Sequence, residues 1–508
     1  MNTAEMTPLA LKSALVIGLG QTGAASARWL KRQGYEVRLL DTRDNPPGIE
    51  SLRADLGQAL VAQHFGATEP EYALFEGIAL AVISPGLAPT QEPVGQWLAR
   101  ASAAGAQVLG EIELFAQALE QLDQQHGYKP RILGVTGTNG KTTVTALTRR
   151  MAQAAGLTAC AAGNISPAAL DALMQALDQD DLPEVWVLEL SSFQLVTTSS
   201  LRMTAAVVLN VSQDHLDWHG TMQHYCEAKA KIYAMANIKI VNRDDPSVVA
   251  MVATLDDRSV RGFGAGEPVL TGDVGVQSNH DVAWLVSAEP TEFDDAPRVR
   301  RRKNEPVPPR GIGRIQRLMP ADALPLVGQH NVMNVLAASA LVRALDVGWA
   351  PILKAASDYE GEPHRMRFVR TIREVDFFND SKGTNVGAAV AGIEGLARRV
   401  VLVAGGVAKG QDFGLLGKTL ARTGSAAVLI GIDAPLLQAA FEAQGVVCTR
   451  AVTISQALEQ AFELAQPGDA VVLSPACASF DMFRNYGHRG DVFVDAVLEL
   501  ALTLGEVA

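Results

Sequence analysis

The chain has 508 residues, of which 48% are hydrophobic and 19% charged, and its formal net charge is −12. This length exceeds what one hydrophobic core normally organises, so several domains are expected. The negative charge argues against a broad surface for DNA or RNA, because such surfaces need an excess of Lys and Arg. Four cysteines without CxxC spacing argue against a disulfide framework or a zinc knuckle and favour thiols.

The N-terminal segment MNTAEMTPLALKS lacks the basic start and the continuous apolar core of a secretory signal. No later segment has the roughly eighteen uninterrupted apolar residues that a membrane span needs. We therefore expect a cytoplasmic protein without membrane insertion.

Residues 1–110 alternate short apolar runs with helical patterns. SALVIGL, EVRLL and IALAVIS are typical of strands, and TGAASARWLKRQG is typical of a helix, which predicts a Rossmann-like domain. Gly18, Gly20 and Gly23 follow the first run and Asp41 ends the second, as a nicotinamide-binding fold would require. Any nucleotide diphosphate benefits from such a glycine turn, so this motif alone leaves a dehydrogenase and a UDP-sugar site open.

Residues 111–362 contain a second α/β series with the apolar runs RILGVT, VWVLEL, AAVVLN and IKIVN. Near 272–318 the pattern becomes irregular, and we expect an exposed insertion there. Its basic residues are either solvated or steer an anionic substrate. They are Arg298, Arg300, Arg301, Arg302 and Lys303.

Residues 363–508 carry a third series, in which VVLVAGG, AAVLIGI and AVVLSPA are separated by helical patterns. These runs predict a second Rossmann-like domain. The expected fold is therefore α/β with three domains. The stretch GVTGTNGKTT at 134–143 predicts that the central one is of the P-loop ATPase type.

The central P-loop is the stretch GVTGTNGKTT at 134–143, which follows a strand pattern and opens a helical one. Its glycines let the backbone fold around phosphate oxygens, which the N–H groups and the helix N-terminus attract. Lys141 can reach the terminal phosphates of ATP, and Thr142 is the expected magnesium ligand. The standard motif has glycine where Val135 stands, and Gly137 lies closer to the lysine instead.

Further candidate magnesium ligands follow the central strands. Glu189 ends VWVLEL, where a carboxylate is costly unless it is paired or bound to a metal. His215 lies in NVSQDHLDWHG and Lys229 in the helical pattern YCEAKAKIY. Local sequence alone favours a structural role for His215 and an exposed helix position for Lys229.

The motifs TGTNGKTT, LELSSFQL, LNVSQDHLD and YCEAKAKIY, in this order, resemble those of the Mur ligases, in particular the members that add D-glutamate. The resemblance covers nearly all of the chain. It implies a ligase that uses ATP and two magnesium ions to join D-glutamate to UDP-N-acetylmuramoyl-L-alanine through an acyl phosphate, in peptidoglycan precursor synthesis. Separately, we expect a monomer. The alternatives are a Mur ligase for another amino acid, an NAD-dependent oxidoreductase and a non-catalytic binding protein, but SSFQL and FFNDSKGTN favour D-glutamate.

The resemblance also implies roles for individual residues. It implies a carbamylated Lys229, whose carboxylate-like group ligates magnesium. The implied catalytic residues are Lys141, Glu189, His215 and Lys229. The implied metal ligands are Thr142, Glu189, His215 and carbamylated Lys229. The implied ATP contacts are Gly137, Thr138, Asn139, Gly140, Lys141, Thr142, Thr143, Asn334, Arg365 and Asp380.

The two other substrates have their own sets of implied contacts. Those for the UDP-sugar are Leu19, Thr22, Asp41, Thr42, Arg43, Gly86, Asn164, Ser191 and Gln194. Those for D-glutamate are Lys382, Thr384, Lys409, Ser479 and Phe480. A helix cap or a turn is the alternative role of Asn164, Ser191 and Gln194, and Ser479 is otherwise a loop serine.

Overall fold

Three separate sheets, each covered by helices, make up the computed structural model, which describes residues 12–506 apart from 67, 281, 292–308, 327, 397 and 409. This arrangement confirms the predicted α/β class. Lys409 and the basic cluster around Arg300 lie outside the described residues. Among the helices that are described, none combines the length and the apolarity that crossing a bilayer requires.

The N-terminal sheet is wholly parallel, with the order β3-β2-β1-β4-β5. The chain leaves β1 towards β2 on one side and returns to β4 on the other, so a ligand crevice is expected at the carboxyl ends of β1 and β4. Its strands are β1 (Ser13–Ile17), β2 (Glu36–Asp41), β3 (Leu60–Phe65), β4 (Ile78–Ile83) and β5 (Gln107–Leu109). Its helices are α1 (Gln21–Arg32), α2 (Ile49–Leu56), α3 (Val94–Ala103) and the short 3-10 helices Gly57–Ala59 and Tyr72–Leu74.

The central sheet has the order β14-β13-β12-β11-β10-β9-β6-β8-β7 and is parallel from β7 to β12. Its strands are β6 (Arg131–Thr136), β7 (Ala159–Gly163), β8 (Val185–Glu189), β9 (Met203–Val208), β10 (Ala236–Asn242), β11 (Val260–Phe263), β12 (Val274–Asn279), β13 (Val282–Glu289) and β14 (Arg314–Pro320). Strand β6, which leads into the P-loop, lies between β8 and β9, so the three carboxyl ends meet at one edge.

Helices cover both faces of this sheet. They are α4 (Glu111–His126), α5 (Lys141–Ala154), α6 (Ala169–Asp178), α7 (Ser192–Val196), α8 (Leu216–His219), α9 (Met222–Ala234), α10 (Pro246–Val249), α11 (Gln329–Arg343), α12 (Trp349–Ser357) and the 3-10 helix Ala321–Ala323. Helices α11 and α12 pack against α5, and α9 packs against β9 on the other side of the sheet.

The prediction of an irregular segment at 272–318 was wrong for much of its described part. Strands β12, β13 and β14 lie there, and β13 pairs antiparallel with both neighbours. These strands form the edge of the sheet, where one face is more exposed, so polar residues interrupt the apolar runs. The resulting alternation of apolar and polar residues is weak, and it is difficult to recognise next to the proline- and arginine-rich stretch.

The C-terminal sheet has the order β15-β16-β20-β17-β18-β19, and only the pairing of β15 with β16 is antiparallel. Its strands are β15 (Arg367–Ile372), β16 (Val375–Asn379), β17 (Val400–Gly405), β18 (Ala426–Ile430), β19 (Val447–Arg450) and β20 (Ala470–Leu473). Its helices are α13 (Val386–Leu396), α14 (Gly414–Arg422), α15 (Ala434–Glu442), α16 (Ile454–Leu464) and α17 (Tyr486–Thr503). The loops after β16 and β20 therefore leave from adjacent strand ends.

Two carboxylates in the first turn of α4 bind backbone N–H groups of the central domain. Glu111 accepts a hydrogen bond of 2.7 Å from the N–H of Leu170 at the start of α6. Glu113 accepts hydrogen bonds from the N–H groups of Ser199 and Ser200. The second carboxyl oxygen of Glu111 is buried without a hydrogen-bond partner, and burial raises the pKa of this carboxyl to about 7.

The buried Glu111 predicts a pH-dependent stability. Its folded-state pKa lies above the ordinary value of a glutamate, so the contribution of this one group to the free energy of unfolding is largest below that ordinary value. That contribution is lost as the pH rises through about 7. Glu111→Gln keeps an oxygen for Leu170 and carries no charge, so at about pH 8 it should be more stable than wild type by about 2–3 kcal/mol. Chemical denaturation should show this advantage shrinking towards pH 5, whereas the exposed Glu120→Gln on the same helix should show no such trend. An advantage for Glu111→Gln that is equal at both pH values would contradict the assignment.

Candidate active site

The P-loop between β6 and α5 is in close contact with helix α11 and with the residue that follows strand β9. Gly137 and Gly140 have positive φ values of +154° and +83°. A Cβ at Gly140 would lie 2.5 Å from Oδ1 of Asn334 on α11, and one at Gly137 would lie 2.9 Å from Cβ of Leu209. Only glycine fits these positions. Position 135 does not require a glycine, because Val135 still lies inside strand β6, where it is buried and paired with β8.

Asn210, which the sequence analysis did not single out, braces this loop. Its side-chain oxygen accepts the N–H of Asn139 at 2.9 Å, and its amide donates to the carbonyl of Asn139 at 3.2 Å. Its own carbonyl accepts the N–H of Thr138. The Thr138 hydroxyl also lies 3.1 Å from the Tyr225 hydroxyl. The available signal was a polar residue two positions after the end of strand β9.

Two lysine side chains donate to one carbonyl oxygen of the loop. Nζ of Lys141 lies 2.8 Å and Nζ of Lys229 lies 2.9 Å from the carbonyl oxygen of Gly137. Lys229 is buried, contrary to the exposed position that its local sequence favours. Burial, followed by the positive charge of Lys141, lowers the pKa of Lys229 well below its ordinary range. Burial also lowers the pKa of Lys141, against the opposing charge of Glu189.

Glu189 lies at the end of β8 with its two carboxyl oxygens in different surroundings. One accepts a hydrogen bond of 3.0 Å from the side chain of Asn164, whereas the other is buried without a hydrogen-bond partner. This buried, unsatisfied oxygen fits a cation. Across the described ranges, no three His, Cys, Asp or Glu side chains form a group able to hold a metal ion. A magnesium site here would therefore also need hydroxyl, phosphate or modified-lysine oxygens.

His215 precedes α8 with a positive φ of +54° and belongs to an aromatic cluster. The cluster consists of Phe193, His215, Trp218, His219 and Tyr225. The ring of His219 lies 2.9 Å from the hydroxyl of Ser192, and burial lowers its pKa to about 4. His219 is thus a neutral packing residue, whereas His215 is more exposed and lies beside Asp214.

A cavity of about 440 Å³ joins the P-loop to the C-terminal domain. Of the predicted contacts, it is lined by Asn139, Gly140, Thr143, Asn334, Arg365, Asp380 and Lys382. It also contains residues that the sequence analysis missed, among them Asn242, Asp245 and His330. Asp380 accepts hydrogen bonds from Ser474 and from the N–H of Met366, while burial raises its pKa to about 7.

The predicted D-glutamate contacts are only partly brought together. Nζ of Lys382 lies 3.8 Å from the ring centroid of Tyr486, and this lysine lines the cavity. Thr384, Ser479 and Phe480 are not among the lining residues, and the Phe480 side chain is 74% exposed.

Arg489 connects the two loops that carry these contacts. It is buried and donates to the side chain and carbonyl of Ser381 and to the carbonyl of Cys477. The guanidinium therefore holds the loops after β16 and β20 together.

The predicted UDP-sugar contacts Leu19, Thr22, Asp41, Thr42, Arg43 and Gly86 lie around the crevice of the N-terminal sheet. Asp41 accepts the N–H of Leu19 at 2.6 Å and a bidentate pair of hydrogen bonds from Arg43. Burial opposes ionisation of Asp41, but the hydrogen bonds from Arg43 lower its pKa overall. The Thr22 hydroxyl lies 3.2 Å from that of Ser84, and Gly86 is exposed.

Ser191 and Gln194 form the capping box of α7, which was the alternative role weighed for them. The side-chain nitrogen of Gln194 is nevertheless buried without a hydrogen-bond partner. A ligand acceptor at this point would satisfy it.

Comparison with known proteins matches three descriptions of one family along the chain. The Mur ligase MurD-like N-terminal domain matches residues 12–110 and the Mur ligase middle domain matches 135–293. The glutamate ligase domain of the Mur ligases matches residues 364–477.

Relatives match over the whole length. The UDP-N-acetylmuramoylalanine–D-glutamate ligase of Bordetella avium is 56% identical over 508 residues, which is 100% of each chain. The ligase of the same name from Paraburkholderia phymatum is 47% identical and covers 97% of each chain. The solved UDP-N-acetylmuramate-alanine ligase of Thermotoga maritima, 15% identical, has a similar fold with a TM-score of 0.55 over 96% of this chain and 100% of that one.

Proposed function

The chain belongs to the Mur ligase family, and from this premise we propose that it joins D-glutamate to UDP-N-acetylmuramoyl-L-alanine with ATP. The products are UDP-N-acetylmuramoyl-L-alanyl-D-glutamate, ADP and phosphate, so the enzyme acts in peptidoglycan precursor synthesis. The observation that carries the proposal is that P-loop residues and Lys382 line one cavity. The proposed reaction requires a nucleotide and an amino acid to meet, and this cavity brings their proposed contacts together.

The reaction consists of two displacements. A carboxylate oxygen of the UDP-sugar attacks the γ-phosphorus of ATP, the bond to the β-phosphate oxygen breaks, and ADP leaves. The amine of D-glutamate then attacks the acyl carbon of this acyl phosphate, phosphate leaves, and the amine loses a proton. Both steps bring anions together, so positioning and charge neutralisation are the main contributions of the protein.

Lys141 is proposed to neutralise the γ-phosphate. Its ammonium already lies at the P-loop and donates to the carbonyls of Gly137 and Thr138, which it can exchange for phosphate oxygens. Asn334, Arg365 and Asp380, which line the same cavity, are proposed to hold the nucleotide. Lys382 is proposed to meet a carboxylate of D-glutamate, because burying that charge without a partner would be unfavourable.

The chemistry of four residues at and near the P-loop fits magnesium. The unsatisfied oxygen of Glu189, the hydroxyl of Thr142, His215 and a carbamylated Lys229 are the proposed ligands of two ions. Bound magnesium would neutralise phosphate charge. Together with Lys141, these proposed ligands would lie around the P-loop.

The substrates, ATP and a UDP-linked sugar, are the reason for proposing a cytoplasmic location, and cell fractionation tests it. A monomer is proposed because one chain supplies all three sets of contacts. Light scattering coupled to size-exclusion chromatography would contradict this if it gave the mass of a dimer.

The proposed activity predicts phosphate release that depends on all three substrates. With ATP, magnesium and UDP-N-acetylmuramoyl-L-alanine, D-glutamate should give phosphate and an adduct of matching mass, whereas L-glutamate, L-alanine and L-lysine should not. Lys141→Ala should lower kcat by about a hundredfold or more, because it removes a positive charge from the phosphates. Lys129→Ala, an exposed lysine, is the matched control. An adduct with another amino acid alone would overturn the specificity.

Lys229 is proposed to carry the carbamate. Burial lowers the pKa of its amine, so the neutral form that adds carbon dioxide is more accessible than in an exposed lysine. Carbon dioxide-depleted buffer should therefore reduce activity several-fold, and bicarbonate should restore it. With isotopically labelled bicarbonate, carbon NMR should give a carbamate signal that Lys229→Arg lacks. Equal activity in both buffers and no such signal would show an unmodified lysine.

A further inference from the structure

The C-terminal domain touches the P-loop through the start of α13. A Cβ at Gly387, in the first turn of this helix, would lie 3.3 Å from Nδ2 of Asn139 and 3.3 Å from Oγ of Ser212. At the far end of the helix, a Cβ at Gly395 would lie 3.1 Å from the ring of His330. Both ends of this helix therefore lie close to the central domain.

Asn385, directly before this helix, makes the polar contacts of the interface. Its Nδ2 lies 3.0 Å from Oδ1 of Asn139 in the P-loop and 3.4 Å from Oδ2 of Asp214. Its Oδ1 accepts the N–H of Ala388 and so caps the start of α13. The side chain is 8% exposed, so these hydrogen bonds are shielded from water.

The same side chain connects both reactant sites. Asn385 belongs to the loop of Lys382, which is proposed to bind D-glutamate. Asn139 belongs to the loop proposed to bind ATP, and Asp214 also contacts His215 through a hydrogen bond from the His215 N–H. A movement of one loop relative to the other would break the Asn385 hydrogen bonds.

We propose that Asn385 is a positioning residue for the ligation, whose amide latches the C-terminal domain onto the P-loop and sets the approach of D-glutamate to the acyl phosphate. This inference rests on the proposed function. Neither the P-loop motif nor the domain matches assign a part to this residue. The latch acts through Asn139 and Asp214 and does not require Asn385 to touch a substrate.

Asn385→Asp removes the hydrogen bonds of the latch but keeps the helix cap, so it tests the latch without disturbing the fold of the domain. Its carboxylate still accepts the N–H of Ala388, but it has no N–H to donate to Asn139 and Asp214. At saturating substrates kcat should fall roughly 30-fold, as the loss of two hydrogen bonds implies. The KM for the UDP-sugar should stay near the wild-type value, because most of its proposed contacts lie in the N-terminal domain. The thermal midpoint should also stay near that of the wild type.

Small-angle X-ray scattering measures the closure itself. With UDP-N-acetylmuramoyl-L-alanine and a non-hydrolysable ATP analogue, wild type should be compact and Asn385→Asp more expanded. Combining Asn385→Asp with Asp214→Asn reverses donor and acceptor, and we expect the double variant to regain the compact profile. Gln444→Glu makes the same amide-to-carboxylate change on an exposed side chain of this domain and should match wild type.

Two results would overturn the latch: a wild-type kcat for Asn385→Asp, or a double variant as expanded as the single one. Either would leave the ligase activity of the wild-type protein intact. Failure of the proposed function is distinguishable, because wild-type protein would then form no adduct.

Discussion

Two lysine side chains donate to one carbonyl oxygen in this protein, and the rest of the active site is arranged around them. Lys141 and Lys229 both donate to Gly137. Two buried positive charges this close together are costly unless anions compensate them or one of the amines is neutral or modified. The carboxylates of Glu189 and Asp214 supply part of that compensation. The site therefore suits a strongly anionic reactant, and a nucleotide triphosphate meeting a carboxylate is one.

The central and C-terminal sheets contribute to this arrangement through their carboxyl edges. The P-loop and Glu189 leave adjacent strands of the central sheet, and the loops of Asp380 and Ser474 leave adjacent strands of the C-terminal sheet. Contacts that belong to no motif then fix one loop against another, as Asn210 does within the central domain. Rigid strands thus position the reacting groups, while polar side chains set the spacing between the domains.

The P-loop and the α/β class could be predicted from sequence because their signals are local. The bracing residues could not. Asn210 meets a partner 71 residues away and Asn385 one 246 residues away, and an asparagine at a strand end or before a helix otherwise indicates only a cap. The burial of Lys229 was hidden for a related reason, since its helix carries polar residues and only the tertiary fold places it beneath Gly137. The edge strands β12 to β14 were missed because their alternation is weak.

The central claim is that the P-loop activates a carboxylate of the UDP-sugar as an acyl phosphate, and oxygen transfer tests it most directly. UDP-N-acetylmuramoyl-L-alanine labelled with heavy oxygen in its alanyl carboxylate would be converted with ATP and D-glutamate, and the released phosphate would be analysed by mass. Our account predicts one labelled oxygen in each phosphate formed, because the carboxylate oxygen leaves with the phosphoryl group. Unlabelled phosphate accompanying a normal yield of adduct would contradict it.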